Sequence, residues 1–320
     1  MPTIYPKDPP SHLSLRQTRP FALLRAISSG KSFEETAVPV EEQIPIFVVS
    51  LSDSHERREA MGEALTELGL SFEFVDAVDA RDGLPESFED QIDREAIRKN
   101  LGRDMLGPEL GCALSHALVY REILKRNLSR AIVLEDDIVP TTDFLELLRS
   151  SVLERSQYDL VLLYYNLATA FRWSFRPCLG NYKFFRFSAL PSSTACYYLT
   201  RAGASKLLEA ATPVSFVADW PLLIPFRMRS AGIFPSVIKH SLPPSLIEQS
   251  RRQATSEIEA ASTTALSRWT QIRTALRSGG WKGGLEKLYF LFLFPLLAVR
   301  VGGTDEENAS GVFDEKPQPL

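Results

Sequence analysis

Cysteine is scarce in this chain, with three in 320 residues: Cys112, Cys178 and Cys196. Their odd number and the lack of any C-x-x-C spacing exclude a disulfide framework and a zinc knuckle, and a reducing compartment fits best. An excess of one charge is also missing. The chain holds 36 Lys and Arg against 40 Asp and Glu, a net −4, so no global basic field argues for nucleic acid. There is no P-loop pattern, no internal repeat and no low-complexity tract. The N-terminal MPTIYPKDPPSHLSL lacks an uninterrupted apolar stretch, and Phe21–Leu24 is closed by Arg25, so no secretory signal is read.

What is present is a chain 44% hydrophobic, enough for one large core or two smaller ones. Residues 1–43, rich in Pro, Ser and charge, read as a loose arm with one short helix near Phe21–Ile27. Order begins at Ile46–Val49, an apolar run of strand length. Ser52, Asp53 and Ser54 then signal a helix start, Met61, Leu65 and Leu68 fall at helical spacing, and Gly69 ends it. Ser71–Val75 alternates Phe72 and Phe74 with polar neighbours, and Leu110–Leu124 is a second strong helix. A further strand leads to the helix FLELLRSSVLE, capped by Thr142 or Asp143, and YDLVLLYY and Ala195–Leu199 read as strands, with a short helix over Ala202–Glu209. Strands alternating with helices over 44–165 imply βαβ units and a largely parallel sheet.

The stretch AIVLEDDIVP, residues 131–140, places three adjacent acids behind a buried strand. In open α/β sheets ligands gather at the carboxyl ends of strands. An extended chain would turn Glu135 and Asp137 to one side and Asp136 to the other. Such a pair can hold Mg2+ or Mn2+ while leaving positions for water and substrate phosphates, which suits a nucleotide-diphosphate donor. The plainer reading is a solvated turn that caps the next helix. Thr141, Thr142 and Asp143 already supply caps closer to that helix, so the acids look surplus to capping.

In order and spacing, FVVSLSDSHERR, FVDAVDA, GPELGCALSHALVYREI, IVLEDDIVP, CYYLTRAGASKLL and FVADWPLL resemble glycosyltransferase family 25 over roughly residues 44–250. That family includes lipooligosaccharide galactosyltransferases of Gram-negative bacteria and collagen galactosyltransferases. The resemblance implies a GT-A type, Rossmann-like nucleotide-sugar-binding domain with a mainly parallel sheet. It also implies inverting transfer of a hexose from a UDP-sugar, usually UDP-galactose, to a glycan acceptor of lipopolysaccharide or lipooligosaccharide type. Where the family has Asn-Leu followed by a basic residue, this chain has Ser50-Leu51 and Asp53, while Arg57 and Arg58 are kept. Asp79-Ala80 stands where Asp-Gly is usual.

Donor binding on this basis involves Ser50, Leu51, Arg57 and Asp79, with Glu109, Ser115 and His116 from the signature helix and Asp136 from the acid run. Arg57 is either a diphosphate contact or a helix-surface arginine. Glu109 is also suited to starting a helix, and His116 to a structural hydrogen bond. Cys112 reads as core. Inverting transfer needs a carboxylate within reach of the acceptor hydroxyl, and Asp219 is the candidate for that general base. Its neighbour Trp220 is either a sugar-stacking ring or a core residue. The metal set is Glu135 and Asp137, with His240 where related nucleotide-sugar enzymes sometimes supply a last ligand. Two rival readings remain: a catalytically inactive carbohydrate-binding relative, and a metal-dependent phosphoryl-transfer enzyme, which lacks its usual DxDx signature here.

Residues 251–320 form a third region, amphipathic and helical in pattern. Residues 251–300 carry eight Lys and Arg against three Glu, while 301–320 carry five acids against Lys316. Trp269, Ile272 and Leu276 recur at helical spacing beside Arg268, Arg273 and Arg277. LYFLFLFPLLAV, residues 288–299, is about 18 Å long as a helix, against about 30 Å of bilayer hydrocarbon. Residues 269–299 therefore read as a peripheral anchor on an anionic leaflet, at the inner face of the cytoplasmic membrane, or else as a helix packed on the catalytic domain.

Overall fold

Ile46–Ser50 forms β1, and its side chains alternate between two interiors. Phe47 and Val49 enter one apolar cluster while Ile46 and Val48 enter another. Arg130–Glu135, β3, divides in the same way, with Ala131 and Val133 on one face and Ile132 and Leu134 on the other. Strands buried on both faces read as continuous apolar runs, which is why both were visible in the sequence. The computed structural model describes residues 43–166, 168–221, 224–240, 297–301 and 318–319.

Between β1 and β3 the chain makes α1 (His55–Glu67), β2 (Glu73–Asp76), a short 3-10 turn (Glu86–Gln91), α2 (Arg94–Leu101) and α3 (Gly107–Lys125). After β3 come β4 (Ile138–Val139), α4 (Thr142–Arg149), α5 (Val152–Arg155), β5 (Leu160–Leu162), β6 (Ala168–Phe171), β7 (Arg176–Pro177) and β8 (Lys183–Phe185). The chain continues through β9 (Cys196–Thr200), α6 (Arg201–Ala210), α7 (Ile224–Arg227), β10 (Ser230–Phe234) and β11 (Lys239–His240), then β12 (Ala298–Val301) and β13 (Gln318–Pro319).

The main sheet has the order β2-β1-β3-β9-β5-β10-β8-β7. β1 pairs in parallel with β2 and β3, and β10 with β5; β9 runs antiparallel between β3 and β5, and β8 antiparallel to β10 and β7. The architecture is mixed α/β with most strands sharing one direction. One face of the sheet is covered by α1, α4 and α5, through Met61, Leu65, Phe144, Leu147 and Leu153. The other is covered by α3, α6 and α7, through Val119, Ile123, Ala204, Leu207 and Ile224. Sequence signals missed one break: Ser151 adopts φ +50, so FLELLRSSVLE becomes α4 and α5, and Thr141 is the cap, accepting a hydrogen bond from Phe144 N at 3.2 Å.

β12 pairs antiparallel with β6, and Val299 and Val301 are buried in the cluster beneath α3 and α6. The final residues of the apolar run thus belong to the interior of the folded body, which corrects the reading of residues 298 and 299 as membrane-facing. Val301 shows that the boundary drawn at residue 250 separates part of this body from itself. The arm over 1–42, the amphipathic stretch around Trp269–Leu276 and residues 288–296 lie outside the described residues. Among the described residues no helix is long and apolar enough to cross a membrane.

Candidate active site

The parallel strands β1, β2 and β3 end side by side at Ser50, Asp76 and Glu135. A cleft opens at these carboxyl ends, walled by the loop after β2 and the first half of α3. Two glycines set that wall. A Cβ on Gly107 would lie 2.1 Å from the Ala80 carbonyl oxygen, and one on Gly111 would lie 2.5 Å from that of Val78. The helix and the loop therefore meet backbone to backbone. Ser115, fully buried, fixes the contact by accepting from Val78 N at 2.8 Å and donating to Gly111 O at 2.6 Å.

The acid run does not stay extended. After Glu135 the chain turns, and Glu135, Asp136 and Asp137 all line the cleft. The expected alternation, with Asp136 facing away, is corrected by that turn. Asp136 accepts from Ser50 Oγ at 2.5 Å and pairs with Arg57 Nη1 at 2.9 Å. Burial pushes its carboxyl above the ordinary range, while Ser50 and Arg57 oppose the shift and the neighbouring Asp137 and Glu135 add to it. Asp137 is only 6% exposed. Arg58, on the same helical turn as Arg57, holds the end of β1, donating to Ser50 O at 2.7 Å and Leu51 O at 2.9 Å.

Glu135 sits among polar side chains. Thr194 Oγ1 donates to its Oε1 at 2.7 Å, and His116 Nε2 lies 3.2 Å from the same oxygen. The other ring nitrogen of His116 is 2.8 Å from the Tyr197 hydroxyl. His116 thus both lines the cleft and makes structural hydrogen bonds. One helical turn earlier, Cys112 also lines the cleft, where sequence alone read it as core. Burial raises its thiol well above the ordinary range, and the charges of Glu135, Asp219 and Asp137 push in the same direction against a hydrogen bond with Thr194.

Asp219 lies in the field of this cluster, outside the cleft lining. Its segment borders a second, much smaller pocket, lined by Val217, Ala218 and Pro221 and sharing His116 with the main cleft. Trp220, at φ +74, holds a conformation costing about 1–3 kcal/mol for a residue with a side chain. Burial of its indole against Tyr197, with ring centres 5.5 Å apart, offsets that cost. Trp220 is a core residue, and the sugar-stacking alternative falls away.

Other expected residues take different places. Glu109 is buried at the start of α3, where Arg103 grips its carboxylate at 2.7 and 2.8 Å and Leu106 N donates to it at 3.0 Å. It starts the helix and is absent from the cleft lining, so a donor-binding role is not supported. Asp79 stands at the rim, its carboxyl held below the ordinary range by hydrogen bonds from Arg81. Arg81 also reaches Asp53 at 2.6 Å and lines the cleft. Sequence reasoning missed Arg81, because its position depends on how the loop lies against α3. The backbone of His240 pairs with Ile138, directly after the acid run. Leu51 lines the cleft as expected.

Residues 43–221 match the family model of glycosyltransferase family 25, described as LPS biosynthesis protein. The human inactive glycosyltransferase 25 family member 3 is 35% identical over 135 residues, covering 37% of this chain and 21% of that protein. Procollagen galactosyltransferase 1-A of Xenopus laevis is 29% identical over 167 residues, covering 49% of this chain and 24% of that protein. The matched region is thus about a quarter or less of the length of these relatives. A mannose-1-phosphate geranyltransferase from Thermus thermophilus aligns at a TM-score of 0.30 and 15% identity, over 59% of this chain and 73% of that one.

Proposed function

This chain belongs to glycosyltransferase family 25, and we propose that it is an active, inverting transferase of GT-A type that moves a hexose, galactose first among them, from a UDP-sugar to a hydroxyl of a lipopolysaccharide-type glycan. The observation that carries this reading is the convergence of Glu135, Asp136 and Asp137 on a cleft that Arg57 and Arg81 also line. Cations at the cleft suit a diphosphate, and the acids suit a divalent metal. Similarity to a procollagen galactosyltransferase supports galactose as the sugar.

The residues present fit a hard cation. Glu135 and the buried Asp137 offer oxygen donors in one cleft, beside Asp136, which Arg57 and Ser50 hold. Glu135 and Asp137 would hold Mn2+ or Mg2+, which would neutralise charge on the departing diphosphate. Arg57 and Arg81 orient the diphosphate at the rim. Asp219 takes the acceptor proton as the new glycosidic bond forms. We place the protein at the inner face of the cytoplasmic membrane, held there by the basic and apolar stretch of residues 269–296.

The second reading is an inactive carbohydrate-binding relative, favoured by similarity to relatives named inactive and by Ser50 and Asp53 at positions where the family pattern differs. A screen of UDP-sugars for UDP release, with Mn2+ present or chelated, separates the two. Metal-dependent release from UDP-galactose is the expected result. Binding of UDP-sugars without release under any condition would establish the inactive reading instead.

A further inference from the structure

We propose that Cys112, His116 and Glu135 form a binding site for a thiophilic divalent cation of the zinc type, distinct in its ligands from the hard-cation pair Glu135 and Asp137 and overlapping it only at Glu135. One ligand atom from each of the three residues lies within 4.8 Å of the others. Cys112 and His116 are four residues apart on α3, so they project from one face of that helix toward the end of β3. The 3.2 Å from His116 Nε2 to Glu135 Oε1 is close to the roughly 3.3 Å that separates two ligands of a tetrahedral zinc with bonds of about 2.0 Å. The Cys112 sulfur, within 4.8 Å of both, completes a three-point site by closing on them, and all three residues line the cleft.

Two hydrogen bonds around the site favour this arrangement, while burial and the nearby acids hold the Cys112 proton until a cation displaces it. The Tyr197 hydroxyl engages Nδ1 of His116 and so directs Nε2 toward Glu135, while Thr194 steadies the carboxylate. Outer-shell hydrogen bonds of this kind orient metal ligands. A sulfur, nitrogen and oxygen set suits zinc, whereas Mg2+ and Mn2+ favour oxygen alone. On binding, the Cys112 S–H bond breaks, the sulfur lone pair forms the metal bond, and the proton passes to solvent. Because Glu135 cannot serve both sites, a thiophilic cation would exclude the hard one; this consequence rests on the proposed transferase reading, but the site itself does not.

The test is titration of the full chain with Co2+ as a spectroscopic stand-in for zinc. The expected result is a sulfur-to-metal charge-transfer band with visible bands of tetrahedral form, abolished by added Zn2+. The band should vanish in Cys112→Ser and persist in Cys178→Ser. In His116→Gln, which removes a direct ligand, it should need well over the roughly tenfold more Co2+ that loss of an outer-shell partner costs. A second arm uses the unsubstituted chain, so misfolding of a variant cannot blur it. There, Zn2+ should slow alkylation of Cys112, read by mass spectrometry, and Mg2+ should not. Absence of the band, its survival in Cys112→Ser, or equal protection by Mg2+ would overturn the site. A chain that shows the band yet releases no UDP keeps the site and sinks the transferase reading, and the reverse outcome does the opposite.

Discussion

At the scale of single residues, the acids at the end of β3 and the acid at 219 are assigned different work, and their substitutions should differ accordingly. Asp137→Asn removes one charge while nearly preserving shape at a position only 6% exposed. We expect turnover to fall to background with the melting temperature little changed, checked by sugar transfer and circular dichroism. Near-normal transfer by the folded variant would remove Asp137 from the metal set. For Asp219→Asn, a general base acts on the acceptor proton and contributes little to donor affinity, and general acid–base catalysis accounts for about 100- to 10,000-fold in rate. The expected outcome is a loss of that order in kcat with UDP-sugar affinity nearly intact. A parallel loss of both would make Asp219 a binding or structural residue. The adjacency of the three acids behind an apolar run was legible because neither strand packing nor capping needs them. Cys112 was hidden because its neighbours Ala113 and Leu114 are core residues, and nothing local reveals that the thiol side of the helix meets Glu135. The combination of Cys112, Ser115 and His116 on one helical face was the available signal.

At the scale of elements, the wall of the cleft depends on α3 lying directly on the loop after β2. Gly111→Ala sets two effects against each other. Alanine is better than glycine in a helix interior by about 1 kcal/mol, but its Cβ would sit 2.5 Å from the Val78 carbonyl oxygen, and overpacking of this kind costs about 1–3 kcal/mol. The clash should win. We expect a lower melting temperature and a raised KM for the nucleotide sugar, because the displaced loop carries Asp79 and Arg81; an unchanged KM would separate that loop from donor binding. Short apolar runs exposed β1 and β3, and helical spacing exposed α3. The place of β9 was not legible. Its strand character was evident in CYYLT, but its antiparallel insertion between β3 and β5 is a matter of long-range pairing that no local pattern encodes. β12 was masked in another way, since Ala298 and Val299 close the longer apolar run of 288–299 and Arg300 then interrupts the strand.

At the scale of the whole molecule, the body described by the structure is closed by a strand from far along the chain. Val301→Ala should cost about 2 kcal/mol, from the methyl groups it removes from a 1% exposed position, and a melting curve would show it. No change would mean that β12 adds little to the core. Deleting the C-terminal region is therefore a poor test of membrane attachment, because it would also strip β12 from β6. Charge reversal at Arg268, Arg273 and Arg277 is the cleaner experiment. We expect the triple variant to leave anionic vesicles in flotation at low salt, where the native chain stays bound, and high salt to narrow the difference. Equal flotation would place attachment elsewhere. The β6–β12 pairing has one more consequence, for the order in which the molecule can be finished. On the ribosome Ala168 emerges long before Val301, the residue it will face. Until then β6 presents an open edge, a template for the wrong neighbour. The nascent chain must wait with this seam unsewn, and that interval is when a chaperone would matter most.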